Sequence, residues 1–293
     1  MKYIYLVNRF IFKEKTDLIV SHLKDISIKY NRDFEIIIND DISAAKNNKT
    51  QFKDTEYIIT ALGGDGSINH LLNDFINTKN ILSYIPIGTG NDFYHANQED
   101  LTDGIHEVDA IKINDRYFIN VACFGIDADI ANDDRFIHNN FIPESMRYNA
   151  GVVYYFLTYK PKHLSVIIND QTITQDVTTI VVANAKYYGG GYNVAPTSRI
   201  DDGKLEVYVV DKLNKIKMAN LILSMKTAGH LNSPSLKSFT TDKLTILSDK
   251  QIYANIDGER LLSDRFDIEI IPKAVKLHLD FDFINEIRKI KYR

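Results

Sequence analysis

Tyr57-Ile58-Ile59-Thr60-Ala61-Leu62-Gly63-Gly64-Asp65-Gly66-Ser67-Ile68-Asn69-His70-Leu71-Leu72 is the stretch on which the fold turns. Residues 57–62 read as a buried strand. Ile68, Leu71, Leu72, Phe75 and Ile76 recur at helical spacing, so a helix follows, with Ser67 as its cap. Glycines at such a junction let backbone N–H groups approach an anion closely, and the helix N-terminus adds a favourable field. Asp65 would repel a phosphate in direct contact but suits a Mg²⁺ partner acting through water. Taken alone, the turn is equally well explained by Asp65 as a capping residue.

The flanking sequence repeats the pattern. Residues 3–7 and 34–38 read as strands, 15–30 as a helix with Leu18, Ile19, Leu23 and Ile26 at helical spacing, and 43–48 as a short helix. Residues 81–87 form a further strand that runs into Gly88-Thr89-Gly90-Asn91-Asp92-Phe93. Strands alternating with helices predict a parallel sheet covered on both faces, with ligands beyond the carboxyl ends of its strands. The second loop then lies on the same edge as the first and adds a hydroxyl (Thr89), an amide (Asn91) and a second carboxylate (Asp92). Two glycine turns and two carboxylates at one sheet edge are what a nucleotide–metal site requires.

After residue 107 the period changes. Hairpins are predicted around Asn114-Asp115-Arg116, between strands 110–113 and 117–122, and around Asn169-Asp170, between 166–168 and 172–174. Further strands are expected at 179–183, 205–210, 244–247, 251–256, 266–270 and 275–279, with helices near 145–158 and 215–228. The expected division is an α/β domain over 1–106 and a mainly antiparallel β domain over 107–280. The helical tail 281–293 is expected to return to the first domain.

Composition narrows the class. A chain of 293 residues with 44% apolar content can bury substantial cores, and 25% charged with 11% aromatic residues excludes wholesale disorder. A formal net charge of −4 gives no nucleic-acid signature. Cys123 is the only cysteine, which excludes an intrachain disulfide; with no leader-like N-terminus, the cytoplasm is the expected compartment. No apolar run approaches the ~20 residues that cross a bilayer. The sequence lacks GxxxxGK[ST], a GxGxxG after the first strand, the protein-kinase catalytic set, HExxH and paired CxxC.

A third acidic cluster, Ile256-Asp257-Gly258-Glu259, reads by itself more readily as a solvated turn than as a general base. Tyr188-Gly189-Gly190-Gly191 reads as a bulge or a cleft-facing turn. In order, GGDGSIN, PIGTGNDF, Tyr188-Gly189-Gly190-Gly191, Arg199-Ile200-Asp201-Asp202-Gly203-Lys204-Leu205 and IDGE resemble the motifs of the diacylglycerol kinase catalytic-domain family, over nearly the whole chain. That family includes soluble bacterial lipid kinases and the sphingosine and ceramide kinases.

The resemblance implies an α/β N-terminal domain of the NAD kinase/phosphofructokinase type, a β-sandwich C-terminal domain and ATP in the cleft between them. It implies nucleotide contacts at Asn8, Asn39, Gly63, Gly64, Asp65, Gly66, Ser67, Asn69, His70, Gly88, Thr89 and Asn91. Asp65, Asp92 and Glu259 resemble the carboxylates that organise a catalytic Mg²⁺, and Glu259 or Asp257 the proton acceptor. Arg199, Asp202 and Lys204 match a structural Mg²⁺ site, Asp202 through its side chain and the other two through carbonyls. The first loop, Asn8-Arg9-Phe10, lacks the family's glycine, and Asn39 stands where a threonine is common. Ser67 replaces the more frequent threonine, and His70 stands where a glutamate is common.

The implied activity is an ATP-dependent lipid kinase acting on diacylglycerol. The alternatives are a kinase for a soluble acceptor such as NAD and a catalytically silent ATP-binding protein. The expected partner is a lipid substrate met transiently at a membrane surface, through Lys212, Lys215, Lys217 and the tail Arg288, Lys289, Lys291 and Arg293. A homodimer stays open.

Overall fold

Parallel strands organise the N-terminal part of the chain: β1 (Tyr3–Asn8), β2 (Phe34–Asn39), β3 (Ile58–Gly63) and β4 (Ile81–Pro86), in the order β2-β1-β3-β4. The computed structural model describes residues 1–88, 91–133 and 144–289. Packing divides the chain into two units, Met1–Asp109 with Pro272–Arg293, and Ala110–Ile271. In the first unit β3 and β4 are buried at every position, as expected for strands covered on both faces. The helices connecting them are α1 (Thr16–Lys29), α2 (Ile42–Phe52) and α3 (Asp65–Phe75); α4 (Asp92–Asp100) follows β4.

Register aligns the carboxyl ends. Asn8 lies opposite Asn39, Leu6 opposite Ala61, and Gly63 opposite Pro86. The strand order reverses between β1 and β3, the switch point at which open α/β sheets bind ligands. One local expectation fails here. Ser67 is not the cap of α3; the helix starts at Asp65 with Gly64 as N-cap, and Ser67 N–H donates to the Gly64 carbonyl at 2.9 Å. A glycine can take the cap position because its backbone alone closes the first turn.

The second unit is a mainly antiparallel β-sandwich. Its strands are β5 (Gly104–Ile113, from Ala110 onward), β6 (Arg116–Phe118), β7 (Val121–Gly125), β8 (Lys162–Ile168) and β9 (Gln171–Ala183). After the short hairpin β10 (Tyr187–Tyr188) and β11 (Tyr192–Asn193) come β12 (Leu205–Asp211), β13 (Leu236–Thr241), β14 (Lys243–Ile256) and β15 (Glu259–Leu279, to Ile271). Two long strands build the sandwich: β9 and β14 each pair with β8 along one half and with β7 along the other. Their inward residues join one core, in which Phe124 and Phe266 meet edge to face at 4.9 Å.

Both predicted hairpins form as two-residue turns. Asn169 and Asp170 have φ of 47° and 60°, the left-handed pair that matches strand twist. Strands expected separately at 172–174 and 179–183 are one strand, β9. Those at 244–247 and 251–256 are also one, β14, whose pairing with β15 shifts register between Leu247 and Ile252. Helices α5 (Ile126–Ala131), α6 (Glu144–Thr158) and α7 (Lys215–Ser224) lie in this unit, and α8 (Phe281–Arg288) in the first. The basic residues Lys291 and Arg293 lie outside the described residues, as do Thr89 and Gly90. No helix among the described residues is long and apolar enough to cross a membrane.

Candidate active site

The two glycine loops of the first unit are packed backbone to backbone. Ile87 and Gly88 N–H groups both donate to the Gly63 carbonyl, at 3.0 and 3.1 Å. A Cβ on Gly88 would stand 2.7 Å from the Cα and N of Gly64. A Cβ on Gly63 would stand 2.1 Å from Ser67 Oγ, and its φ of 152° adds to the strain. These two glycines are therefore demanded by the fold. Gly66 is different: a Cβ there meets nothing within 4 Å. Helix interiors favour alanine over glycine, so an open glycine in the first turn of α3 has no reason in this unit's own packing. It leaves the space that a close-approaching phosphate group would take.

Asp65 fastens the second loop to the first. Its Oδ2 accepts from Asp92 N–H at 3.0 Å and its Oδ1 from Phe93 N–H at 3.2 Å, so it caps α4 from across the loop boundary. Asp92 is buried beside it. Asn91 holds the loop's own shape: its Nδ2 donates to the Gly88 carbonyl at 3.1 Å, and its Oδ1 accepts from Tyr84 Oη at 3.1 Å. Burial, and after it the charge of Asp65, pushes the Tyr84 phenol well up, so it stays a donor.

A pocket of about 260 Å³ opens at the ends of β1 and β2, lined by Asn8, Asn39, Ile42, Ser67, His70 and Asp74. A chain of carboxamides lies beside it: Asn48 Nδ2 donates to Asn39 Oδ1 at 3.2 Å, and Asn39 Nδ2 donates to Asn8 Oδ1 at 2.9 Å. This fixes which way the Asn8 and Asn39 amides turn. Asn69, by contrast, is buried and bound to Asn73, and His70 is exposed on the pocket rim. Burial holds the Asp74 carboxyl above its usual range, against Lys49, His70 and Lys46. Asn48, Asp74 and Tyr84 were not singled out from the sequence. Asp74 follows His70 by four residues on a helix, a spacing that places both on one face.

In the second unit Asp257 and Gly258 form the two-residue turn between β14 and β15, with φ of 50° and 90°. Asp257 is buried. Its Oδ2 accepts from Ile119 N–H at 2.8 Å, and its Oδ1 from Asn120 and Val121 N–H at 3.1 and 2.9 Å. Its carboxylate thus organises the 119–121 segment. Glu259, paired opposite Ile256 at the first position of β15, is only half-buried.

The 199–204 turn places Asp202 on the surface. Its Oδ1 accepts from Lys204 N–H at 2.9 Å, and Arg199 is paired with Asp201 at 3.1 Å. Among the described residues no three His, Cys, Asp or Glu side chains gather as a metal-ligating group.

The diacylglycerol kinase catalytic domain matches residues 2–117, and the YegS C-terminal NAD kinase beta sandwich-like domain matches residues 120–279. A Shewanella frigidimarina protein named "Probable lipid kinase YegS-like" is 27% identical over 232 residues, covering 74% of each chain. A Staphylococcus aureus (strain MSSA476) protein, named as a candidate lipid kinase, is 25% identical over 78% of this chain and 79% of its own. The solved structure of a Bacillus anthracis str. Sterne protein described as a diacylglycerol kinase superposes with a TM-score of 0.75 at 18% identity. It covers 96% of this chain and 98% of that one, a likeness of fold. Carrying both domains in order, the chain belongs to the lipid kinase family that joins a diacylglycerol kinase catalytic domain to a YegS-type C-terminal sandwich.

Proposed function

We propose that this protein is an ATP- and Mg²⁺-dependent kinase that phosphorylates the free hydroxyl of diacylglycerol, giving phosphatidic acid and ADP. The observation that carries the reading is Gly66, an open glycine at the N-terminus of α3 in a pair of loops locked together by Asp65. Backbone N–H groups of the 64–66 turn hold the phosphates, and the pocket beside Asn8 and Asn39 takes the rest of the nucleotide. Mg²⁺, when bound, would neutralise phosphate charge; in the first unit Asp65 and Asp92 would hold it through water, and Glu259 is the candidate carboxylate of the second. Asp202, with the carbonyls of Arg199 and Lys204, would hold a second, structural ion.

The acceptor hydroxyl oxygen bonds to the γ-phosphorus as the bond to the bridging oxygen of ADP breaks, and the hydroxyl proton goes to a carboxylate. Glu259 is that base and Asp257 its positioning neighbour, because Asp257 already accepts three backbone N–H groups. The enzyme works from the cytoplasmic side as a transient visitor to the bilayer. A soluble acceptor such as NAD is the second reading, favoured by the sandwich's likeness to NAD kinase.

The test is γ-labelled ATP with Mg²⁺ and diacylglycerol in mixed micelles. Label recovered in phosphatidic acid supports the proposal. Label transferred to NAD instead, or ATP bound with no transfer to either acceptor, overturns it.

A further inference from the structure

Two helices of the second unit are apolar on both of their faces. On the inner side, Phe156 of α6 and Met218, Leu221 and Ile222 of α7 line an apolar cavity of about 110 Å³. On the outer side, α7 leaves Ile216 and Leu223 exposed at 75% and 66%. Likewise α6 leaves Val153 and Leu157 exposed at 59% and 56%. Ile216 and Leu223 are seven residues apart and Val153 and Leu157 four apart, so each pair stands on one stripe of its helix. A surface helix of a globular domain ordinarily turns charge outward at such positions. Scattered exposed aliphatics are common, but two stripes on neighbouring cavity-wall helices are not scatter.

Charge says what covers them. The chain as a whole is acidic, at −4, yet between Lys212 and Thr241 there is no Asp or Glu, and none between Ser145 and Asn169. The same stretches carry Lys212, Lys215, Lys217, Lys226, Arg147, Lys160 and Lys162. Lys212 and Lys162 are paired, with Asp176 and Asp129. Lys215, Lys217 and Lys160 are exposed and have no ion-pair partner among the described residues. Exposed Tyr154 lies beside Val153, and tyrosine favours the level of lipid headgroups.

We propose that the outer face of α6 and α7 is the surface by which the protein docks on an anionic lipid bilayer. Ile216, Leu223, Val153 and Leu157 enter the boundary between headgroups and acyl chains, and Lys215, Lys217 and Lys160 meet the anionic headgroups. This rests on the lipid-kinase reading for its purpose, but it is a separate physical claim. It also moves the weight of docking from lysines alone to an apolar stripe, so binding should keep a salt-resistant part.

The experiment is sedimentation of the full chain with phosphatidylcholine vesicles with and without phosphatidylglycerol. It is paired with kinase turnover on a short-chain diacylglycerol that stays monomeric. The wild type should bind anionic vesicles. Ile216→Ser with Leu223→Ser should lower the partition coefficient about tenfold or more. Lys215→Glu with Lys217→Glu should lower it at least about fivefold per charge, at low salt only. Leu18→Ser with Ile28→Ser, exposed aliphatics of α1, should change nothing.

Turnover on the monomeric acceptor should be unaffected in all of them. Wild type that does not sediment, or helix variants that bind as wild type, overturn the docking face. So does a dimer that the Ile216/Leu223 variant dissociates, because the stripe would then cover a second copy. Vesicle binding with this variant pattern, but without phosphoryl transfer to any lipid, upholds docking and removes the kinase reading instead.

Discussion

Asp65 in the first unit and Asp257 in the second perform the same act, accepting backbone N–H groups from a neighbouring segment, in settings that differ in one respect. Asp65 takes two N–H groups at the start of α4 and is half-buried. Asp257 takes three and is buried. A parallel sheet gathers its loops at one edge, so a carboxylate that ties two of them together also stands where a ligand binds. An antiparallel sandwich scatters its turns, and a carboxylate buried in one of them serves the fold. The same contrast runs through the glycines: Gly63 and Gly88 are required by contacts within the unit, whereas Gly66 is not.

The largest effect expected is on catalysis by the acid beside the Asp257 turn. Glu259→Gln should lower kcat by about 10²–10⁴ while ATP binding and the urea midpoint stay as in wild type, since a general base acts in the transition state. An unchanged kcat would dissolve the distinction between the two acids. Asp257→Asn should act on stability instead. An NH₂ group would face backbone donors, and loss of their acceptors should cost about 3 kcal/mol in urea unfolding. A stable Asp257→Asn protein with reduced kcat would reverse the assignments.

The glycines sharpen the comparison further. Gly88→Ala pushes a Cβ against the backbone of Gly64 and should destabilise by about 1–3 kcal/mol. Gly66→Ala should instead be neutral or stabilising, by up to about 1 kcal/mol, while raising the KM for ATP. A Gly66→Ala enzyme with unchanged KM would remove the phosphate from that turn.

The smallest effect concerns Asp127 on α5, which is half-buried with Thr179 Oγ1 at 2.7 Å from its carboxylate. Burial raises its carboxyl above the usual value, against the lowering effect of Thr179. The folded state therefore keeps this proton where the unfolded chain has released it. Its contribution is fully present below the unfolded value, about 3.9, and declines as pH rises toward the folded one. Asp127→Asn should flatten that decline and leave the protein slightly more stable at neutral pH; an unchanged pH slope would contradict it.

Much of this could be read from the sequence because the first unit's strands are continuous apolar runs that end in glycine. Ser67 misled because a hydroxyl before an apolar run looks like a cap, while Gly64 closes the turn with backbone alone. Helix α4 was not expected: Phe93, Tyr94, Ala96 and Asn97 are its buried face, and its N-terminus is fixed by Asp65 from 27 residues upstream, a tertiary contact without a local signature. The IDGE cluster stayed ambiguous for the same reason, because Asp257 finds its donors at residues 119–121. The Asn8, Asn39 and Asn48 chain joins three elements and shows only in the fold.

The most direct test of the central claim is a competition. Diacylglycerol micelles and NAD are offered together to the wild type and to Glu259→Gln with γ-labelled ATP and Mg²⁺. The account predicts label in phosphatidic acid from the wild type, with almost none from the variant although it still binds ATP. Label in NADP, or equal labelling of phosphatidic acid by both proteins, would contradict it.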